Sequence, residues 1–267
     1  MGDAKRRHKI NSNKKNRYGL SRDIPLSIKR EIRQRCGFGC VVCGSAIYQY
    51  EHIDPVFVDA IEHEPSKMAL LCGTCHDNVT KEIWSKEKIK RALASPKCLE
   101  KGFSFGAFDI GYEHPQIVLG STTIIDTYNL IEVFGESLLK IEPPEEIGSP
   151  FRISASFYDQ FGNKIFRIVQ NEWQSYANNW DVEITGARIT IRHAPKQIIF
   201  VLRVEPPNRL IFEKLNMFYR GGRISATEGG ELTISSPDGC SLGFKAPKMT
   251  MYVGISIHKE GITLTRF

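Results

Sequence analysis

At 267 residues the chain is too long for a minimal zinc module and has room for two modest domains. Apolar residues make up 41% and charged residues 25%, the balance of a soluble globular protein, and no apolar run approaches the roughly 18 residues needed to cross a bilayer. The net charge of +6 is concentrated: Lys5, Arg6, Arg7, Lys9, Lys14, Lys15 and Arg17, opposed only by Asp3, account for all of it. The N-terminus lacks the apolar stretch of a secretory signal, and Arg6 stands where a myristoylation site asks for Ser or Thr. The expected compartment is the cytoplasm, with no membrane partner.

In chain order, residues 1–20 read as a disordered basic arm. Two readings of the arm (1–17) stay open: salt-dependent contact with phosphates, or a solubilising tail. Ser21 to Arg35 reads as a helix, because Ile24, Ile28 and Ile32 recur every four residues and Pro25 suits a first turn. Ile47–Ile53 and Met68–Leu71 read as strands, with an acidic, proline-bearing loop over 54–67. His76 to about Leu93 reads as a helix with Val79, Ile83, Ile89 and Leu93 near one face.

Seven cysteines, an odd number, argue against a disulfide scaffold. Cys40-x-x-Cys43 and Cys72-x-x-Cys75 stand 28 residues apart. Each pair places two thiolates at a spacing that fits neighbouring corners of a tetrahedron. Two pairs make the closed four-cysteine site that structural Zn2+ prefers. Cys36, Cys98 and Cys240 have no such pattern and read as small buried hydrophobes.

Between the pairs lies Glu51-His52-Ile53-Asp54-Pro55, and the second pair closes the run Lys67-Met-Ala-Leu-Leu-Cys72-Gly-Thr-Cys75-His76. Over about residues 36–85 this order resembles the HNH endonuclease family, whose ββα-metal motif sets a histidine-bearing strand between two Cys-x-x-Cys knuckles. The resemblance implies that His52 is the general base and that Glu51 and His76 hold a catalytic Mg2+ or another divalent cation, with Asn78 as the alternative helix ligand. The zinc is then architectural, and cleavage of DNA, expected to be double-stranded, leaves a 5′-phosphate and a 3′-hydroxyl. An imidazole suits the base because its ordinary pKa is near neutrality. A loop carbonyl near Lys67 is the expected brace for the His52 ring. The sequence departs from the family at three places: Glu51 where Asp or His is usual, Lys67 at the motif's asparagine, and Thr80 where a further histidine is often found. His63, in the acidic loop, reads as solvated, and Asp54 and Asp59 as loop residues.

From about Phe103 the pattern changes to short apolar runs separated by turns: 116–125, 151–158, 164–169, 182–192, 197–204, 231–234 and 249–257, with one helix around 127–139. The fold expectation is therefore α+β: a zinc-stapled ββα-metal module (21–100), then a mainly antiparallel, sandwich-like β domain (104–267). Trp173 and Trp180, with Tyr176 and Asn178–Asn179, form a recognition surface or plug the core. Arg188, Arg192, Arg203, Arg209, Arg220 and Arg223 read as a phosphate-facing surface or as ordinary half-exposed strand residues. The functional expectation is a metal-dependent DNA endonuclease whose β domain targets it, binds a protein partner or forms a homo-oligomer, with a bacterial anti-phage effector role as an extension. Two other readings are kept. One is a non-catalytic zinc-ribbon DNA-binding protein. The other is a partner- or ligand-sensing β domain with the zinc module as adaptor.

Overall fold

The computed structural model describes residues 15–245 and 249–265. Most of the expected basic arm therefore lies outside the described residues. The chain is mixed α+β, with strand predominating, and it divides after Ser104 into two units. No helix among the described residues is long and apolar enough to cross a membrane.

In the first unit, residues 15–20 form an ordered turn and not the disordered segment expected. Asn16 is the reason. Its Oδ1 accepts from the backbone N–H groups of Tyr18 and Leu20, and its Nδ2 donates to the carbonyls of Phe57 and Ala60. Helix α1 (Leu26–Cys36) starts after Pro25 and buries Ile32 and Cys36 on the face that also carries Ile28. It ends at Gly37, whose φ of 68° is left-handed and whose missing side chain leaves room for Cys98, 2.8 Å from where a Cβ would stand. Strands β1 (Gln49–His52) and β2 (Met68–Leu71) pair antiparallel, with Glu51 opposite Ala69 and His52 opposite Met68. Every residue of β2 is buried, and the backbone N–H of Val41 donates to the Leu70 carbonyl, which ties the first cysteine knuckle to this hairpin.

Helix α2 (Gly73–Thr80) and helix α3 (Lys86–Ala94) occupy the span expected to be one helix. The break falls at Lys81–Ser85. Glu82 takes a left-handed φ of 60°, Ile83 is exposed, and Ser85 caps α3 by accepting from Lys88 N–H. Ile24, Ile32, Val41, Ile53, Met68, Leu70, Leu71 and Ile89 make the core. A short helix, Lys97–Lys101, carries Cys98 into the interior. Cys36 and Cys98 are buried hydrophobes with thiol pKa values pushed up to about 12, in each case chiefly by burial. Cys240 is exposed, contrary to expectation, because it sits in the turn after Pro237-Asp238-Gly239.

The second unit is built from two sheets. One runs, in spatial order, Gly261–Thr265, Gly254–His258, Asn129–Val133, Glu136–Glu142, Arg152–Tyr158, Lys164–Val169, Glu172–Tyr176 and Phe103–Ala107. The other runs through seven antiparallel strands from Asp181–Thr185 to Ser241–Phe244, joined by Gln116–Leu119, Thr122–Ile124 and Met249–Met251. Some pairings are parallel, Gln116–Leu119 with Arg209–Tyr219 among them, so the sheets are mainly but not wholly antiparallel. Phe157 and Phe166 from the first sheet meet Phe200 from the second at ring-centroid distances of 5.1 Å, and Phe212 joins them.

The helix expected around 127–139 is a β-hairpin instead. Phe134 and Gly135 both have positive φ, which makes the two-residue turn that matches strand twist, and the β-branched Ile131 and Val133 favour the pleat over the helix. The expected strand 182–192 is likewise a hairpin, turning at Gly186–Ala187.

Trp173 is buried and stacks on Phe108 and Phe166, so it belongs to the core. Gly106 allows this, since a Cβ there would lie 2.5 Å from the indole. Gly106→Ala is expected to destabilise this unit by about 1–3 kcal/mol, the usual cost of overpacking. A urea melt followed by tryptophan fluorescence checks it, and an unchanged midpoint contradicts the packing.

The strand arginines are taken up internally. Arg192 pairs with Asp181 and Glu183, Arg203 with Glu205, Glu213 and Glu228, Arg188 with Glu213, Arg209 with Glu205 and Arg220 with Glu136, while Arg223 bonds Asn216. Five of the six arginines have carboxylate partners and the sixth bonds an amide, which favours the ordinary structural reading over a phosphate-facing surface.

Candidate metal centre and adjoining cleft

The four knuckle cysteines converge. All four sulfurs lie within 4.8 Å of one another, and Cys43 Sγ is 3.6 Å from Cys72 Sγ. Sulfurs tetrahedrally bound to zinc through bonds of about 2.3 Å stand about 3.8 Å apart, so the donor set fits that ion. Local folding explains the convergence. The first knuckle is a turn in which Gly44 N–H donates to the Cys40 carbonyl. The second is the start of α2, where Cys72 is the N-cap and its sulfur accepts from Cys75 N–H at 3.5 Å.

The Cys40 thiol is pushed down to about 5, first by the hydrogen bond from the Cys43 thiol and then by backbone N–H groups of Cys72, Cys43 and Val42, against the upward effect of burial. Cys43, the donor in that bond, is raised, and Cys75 is raised to about 12, mainly by burial and then by the charge on Cys40. N–H groups aimed at a sulfur are what a metal-bound thiolate needs around it.

A second convergence lies between β1 and α2. Glu51 Oε2 and His76 Nε2 are 3.2 Å apart, both side chains about one-third exposed. Adjacent oxygen and nitrogen ligands of an octahedral cation with bonds near 2.1 Å stand about 3.0 Å apart, so the pair is spaced to share one. Burial raises the Glu51 carboxyl, and the opposing charge and hydrogen bond of His76, then the charge of Arg22, pull it down. Asn78, two residues beyond His76, lies about 200° round the helix from it. Its carbonyl accepts from Trp84 N–H. Glu51 and His76 are therefore brought together, and Asn78 is not placed beside them. Thr80, one turn beyond His76, bonds the His76 carbonyl through Oγ1.

His52 is buried and lines two depressions. One is a cleft of about 430 Å³ shared with Glu51, Val56, Val79, Trp84 and Lys86. The other, about 250 Å³, is shared with Asp59, Glu62 and Lys67. Among the described residues the partner of the His52 ring is His63 and not the expected loop carbonyl near Lys67; the Lys67 carbonyl accepts from Ile53 N–H and its ammonium pairs with Glu64. His63, expected in solvent, is instead only 8% exposed and stands with its Nδ1 3.1 Å from His52 Nε2. Asp54 stays in the loop, paired with Lys90, and Asp59 pairs with Arg17. Sequence reasoning also missed Arg22. Its guanidinium lies 4.4 Å from the centre of the Phe57 ring, which in turn packs on His52.

The His52 imidazole is pushed down to about 4, first by burial and then by the positive charges of His63 and Arg22. His63 is also lowered by burial, against a raising hydrogen bond to the Ser21 backbone. Both groups bind protons more readily in the unfolded chain. These two groups therefore contribute stability that is fully present above about pH 6.5 and is lost as the pH falls from 6.5 towards 4. His52→Asn is expected to flatten that slope. Urea melts of both proteins at matched pH values check it, because acid loss of any bound zinc affects the two alike. Equal slopes contradict the buried, neutral His52.

No family model matches the chain, and neither the curated proteins nor the solved structures give a match.

Proposed function

We propose that the chain is a metal-dependent endonuclease of the HNH type that hydrolyses phosphodiester bonds in DNA, double-stranded DNA by preference. One observation carries the reading. Glu51 and His76, from different elements, meet at 3.2 Å, and the strand residue next to Glu51 is a buried histidine lining a cleft of about 430 Å³. Glu51 and His76 would hold the divalent cation, Mg2+ or a similar hard ion, which when bound offsets charge on the phosphate and the leaving oxygen. His52 takes the proton from the attacking water. Burial disfavours its charged form, which leaves the imidazole neutral and able to accept a proton. Lys86 places positive charge for the backbone phosphates, and Trp84 gives the cleft an apolar wall.

In this reading Zn2+ on Cys40, Cys43, Cys72 and Cys75 is structural and holds the first cysteine knuckle against the start of α2. The basic arm adds sequence-independent affinity through phosphates. The β unit targets the nuclease or binds a protein partner or second copy, and an anti-phage effector role is the setting such a fusion fits. The test is incubation of zinc-replete protein with supercoiled plasmid, with Mg2+ or Mn2+ and with a chelator of those ions. Nicked or linear product that requires the added ion and vanishes in Glu51→Ala supports the proposal. Intact plasmid under all conditions, with retained DNA binding, gives the non-catalytic zinc-ribbon reading its place.

A further inference from the structure

Residues 53–67 have no regular structure beyond two short 3-10 turns, so the stretch that packs on His52 takes its shape from contacts outside itself. The Phe57 ring lies 5.4 Å from the His52 ring, Ala60 and His63 are buried, and His63 Nδ1 is 3.1 Å from His52 Nε2. Side chains of Asn16, Arg17 and Arg22 meet this stretch. Asn16 Nδ2 donates to the Phe57 and Ala60 carbonyls at 2.6 Å each, Arg17 pairs with Asp59, and the Arg22 guanidinium lies 4.4 Å from the centre of the Phe57 ring.

Asn16 stands out among the three by how fully its amide is used. The turn over residues 16–20 needs only an acceptor, and Asn16 Oδ1 supplies it to Tyr18 N–H at 3.0 Å and Leu20 N–H at 2.9 Å. Aspartate would serve that turn equally. The two N–H donors of the amide have no part in it: both go to carbonyls 41 and 44 residues along the chain. Among short side chains only an amide offers an acceptor and two donors at once. The Arg17–Asp59 pair is about half exposed, so solvent screens it, whereas the bonds from Asn16 to the loop are partly buried.

We propose that Asn16 is a positioning residue for His52: by holding the Phe57 and Ala60 carbonyls it fixes the loop that seats Phe57 and His63 against the imidazole. The effect on cleavage rests on the reading of His52 as general base, whereas the effect on the place of the ring does not. Water can replace the two amide donors as hydrogen-bond partners, but it does not fix where the carbonyls stand. The loss therefore falls on geometry more than on stability, and a displacement of about 1 Å far from the chemistry is enough to slow a reaction about 100-fold.

The test uses zinc-loaded full-length protein at neutral pH, with proton and nitrogen-15 spectra beside plasmid-cleavage kinetics. In the wild type, cross-peaks are expected from the Asn16 side-chain amide protons to Phe57 and Ala60, and between the Phe57 and His52 rings. Their absence overturns the proposal whatever the variants do. Asn16→Asp keeps the acceptor for Tyr18 and Leu20 and removes the donors to the loop, while Asn16→Ala removes both. Each variant should retain zinc and shift the His52 ring-proton resonances, because the Phe57 ring current acts on them at close range. Asn16→Ala should lower kcat by roughly 10–100-fold. KM and the salt slope of DNA binding should stay close to the wild type, since no charge is lost. Unchanged His52 resonances in both variants, a shift in Asn16→Ala alone, or a loss of rate that falls only on KM each overturns the proposal. If the wild type cuts no nucleic acid while the cross-peaks and shifts are present, the failure belongs to the nuclease reading and the positioning of His52 stands.

Discussion

Cys72→Ser is expected to yield protein without stoichiometric zinc and with the first unit unfolded, while the β unit still melts cooperatively. Cys72 has two jobs, as a metal-spaced sulfur and as the N-cap of α2. Serine is itself a favoured N-cap, so the substitution keeps the helix start and removes the ligand. The unit has little else to hold it. Among its described residues the sheet is a hairpin of four-residue strands, and the segment between them, residues 53–67, has no regular structure beyond two short 3-10 turns at Phe57–Asp59 and Pro65–Lys67. Zinc on four thiolates supplies roughly 10–16 kcal/mol near pH 7, several times the stability such a small core provides. Elemental analysis and a thermal melt check this. Zinc-free Cys72→Ser with an unchanged first transition contradicts the structural role. Because the thiols must lose their protons to bind, acid should release the metal.

The cysteine pairs were legible in the sequence because ligand spacing within each knuckle is local, and β2 could be placed to the residue because Met68–Leu71 is a compact apolar run. The Glu51–His76 meeting was anticipated through the resemblance alone, since the sequence does not encode a distance between a strand and a helix 25 residues away. The His52–His63 contact was not legible. Nothing in the spacing of two histidines across a structureless loop says that the loop folds back, and the acidic neighbours Glu62 and Glu64 suggested solvent. The cross-strand arginine pairs were hidden for a related reason. Arg203 meets Glu213 only once the register of Gln197–Glu205 against Arg209–Tyr219 is fixed, and that register depends on the turn and a bulge. The misread 127–139 helix shows the limit of apolar periodicity. Leu130, Ile131, Val133, Leu138 and Leu139 are all buried, a pattern that fits one helix face or the two strands of a hairpin, and the Phe134–Gly135 turn decides between them.

His52→Ala is the second large effect. Losing a general base lowers kcat by about 100- to 10,000-fold, and the remaining cation-dependent rate depends on water ionised without help. Zinc content, fold and DNA affinity should stay close to wild type, because His52 is not one of the cluster cysteines and carries no charge at neutral pH to lose. One structural cost is expected: His63 is left with a buried Nδ1 and no partner, which weakens the first unit by about 1–3 kcal/mol. Activity is therefore compared at a temperature well below that unit's melting transition. Glu51→Ala and His76→Ala should differ from His52→Ala in one respect, raising the Mg2+ concentration needed for half-maximal rate, whereas His52→Ala should leave it in place.

The most direct measurement is single-turnover cleavage of plasmid DNA by zinc-replete wild type and His52→Ala protein, side by side, with enzyme in excess and Mg2+ or Mn2+ saturating. The account predicts cation-dependent phosphodiester cleavage by the wild type and a rate at least about 100-fold lower for His52→Ala, with equal DNA binding. Cleavage by His52→Ala at the wild-type rate contradicts the assignment of the base, and absence of any cleavage by the wild type contradicts the nuclease itself.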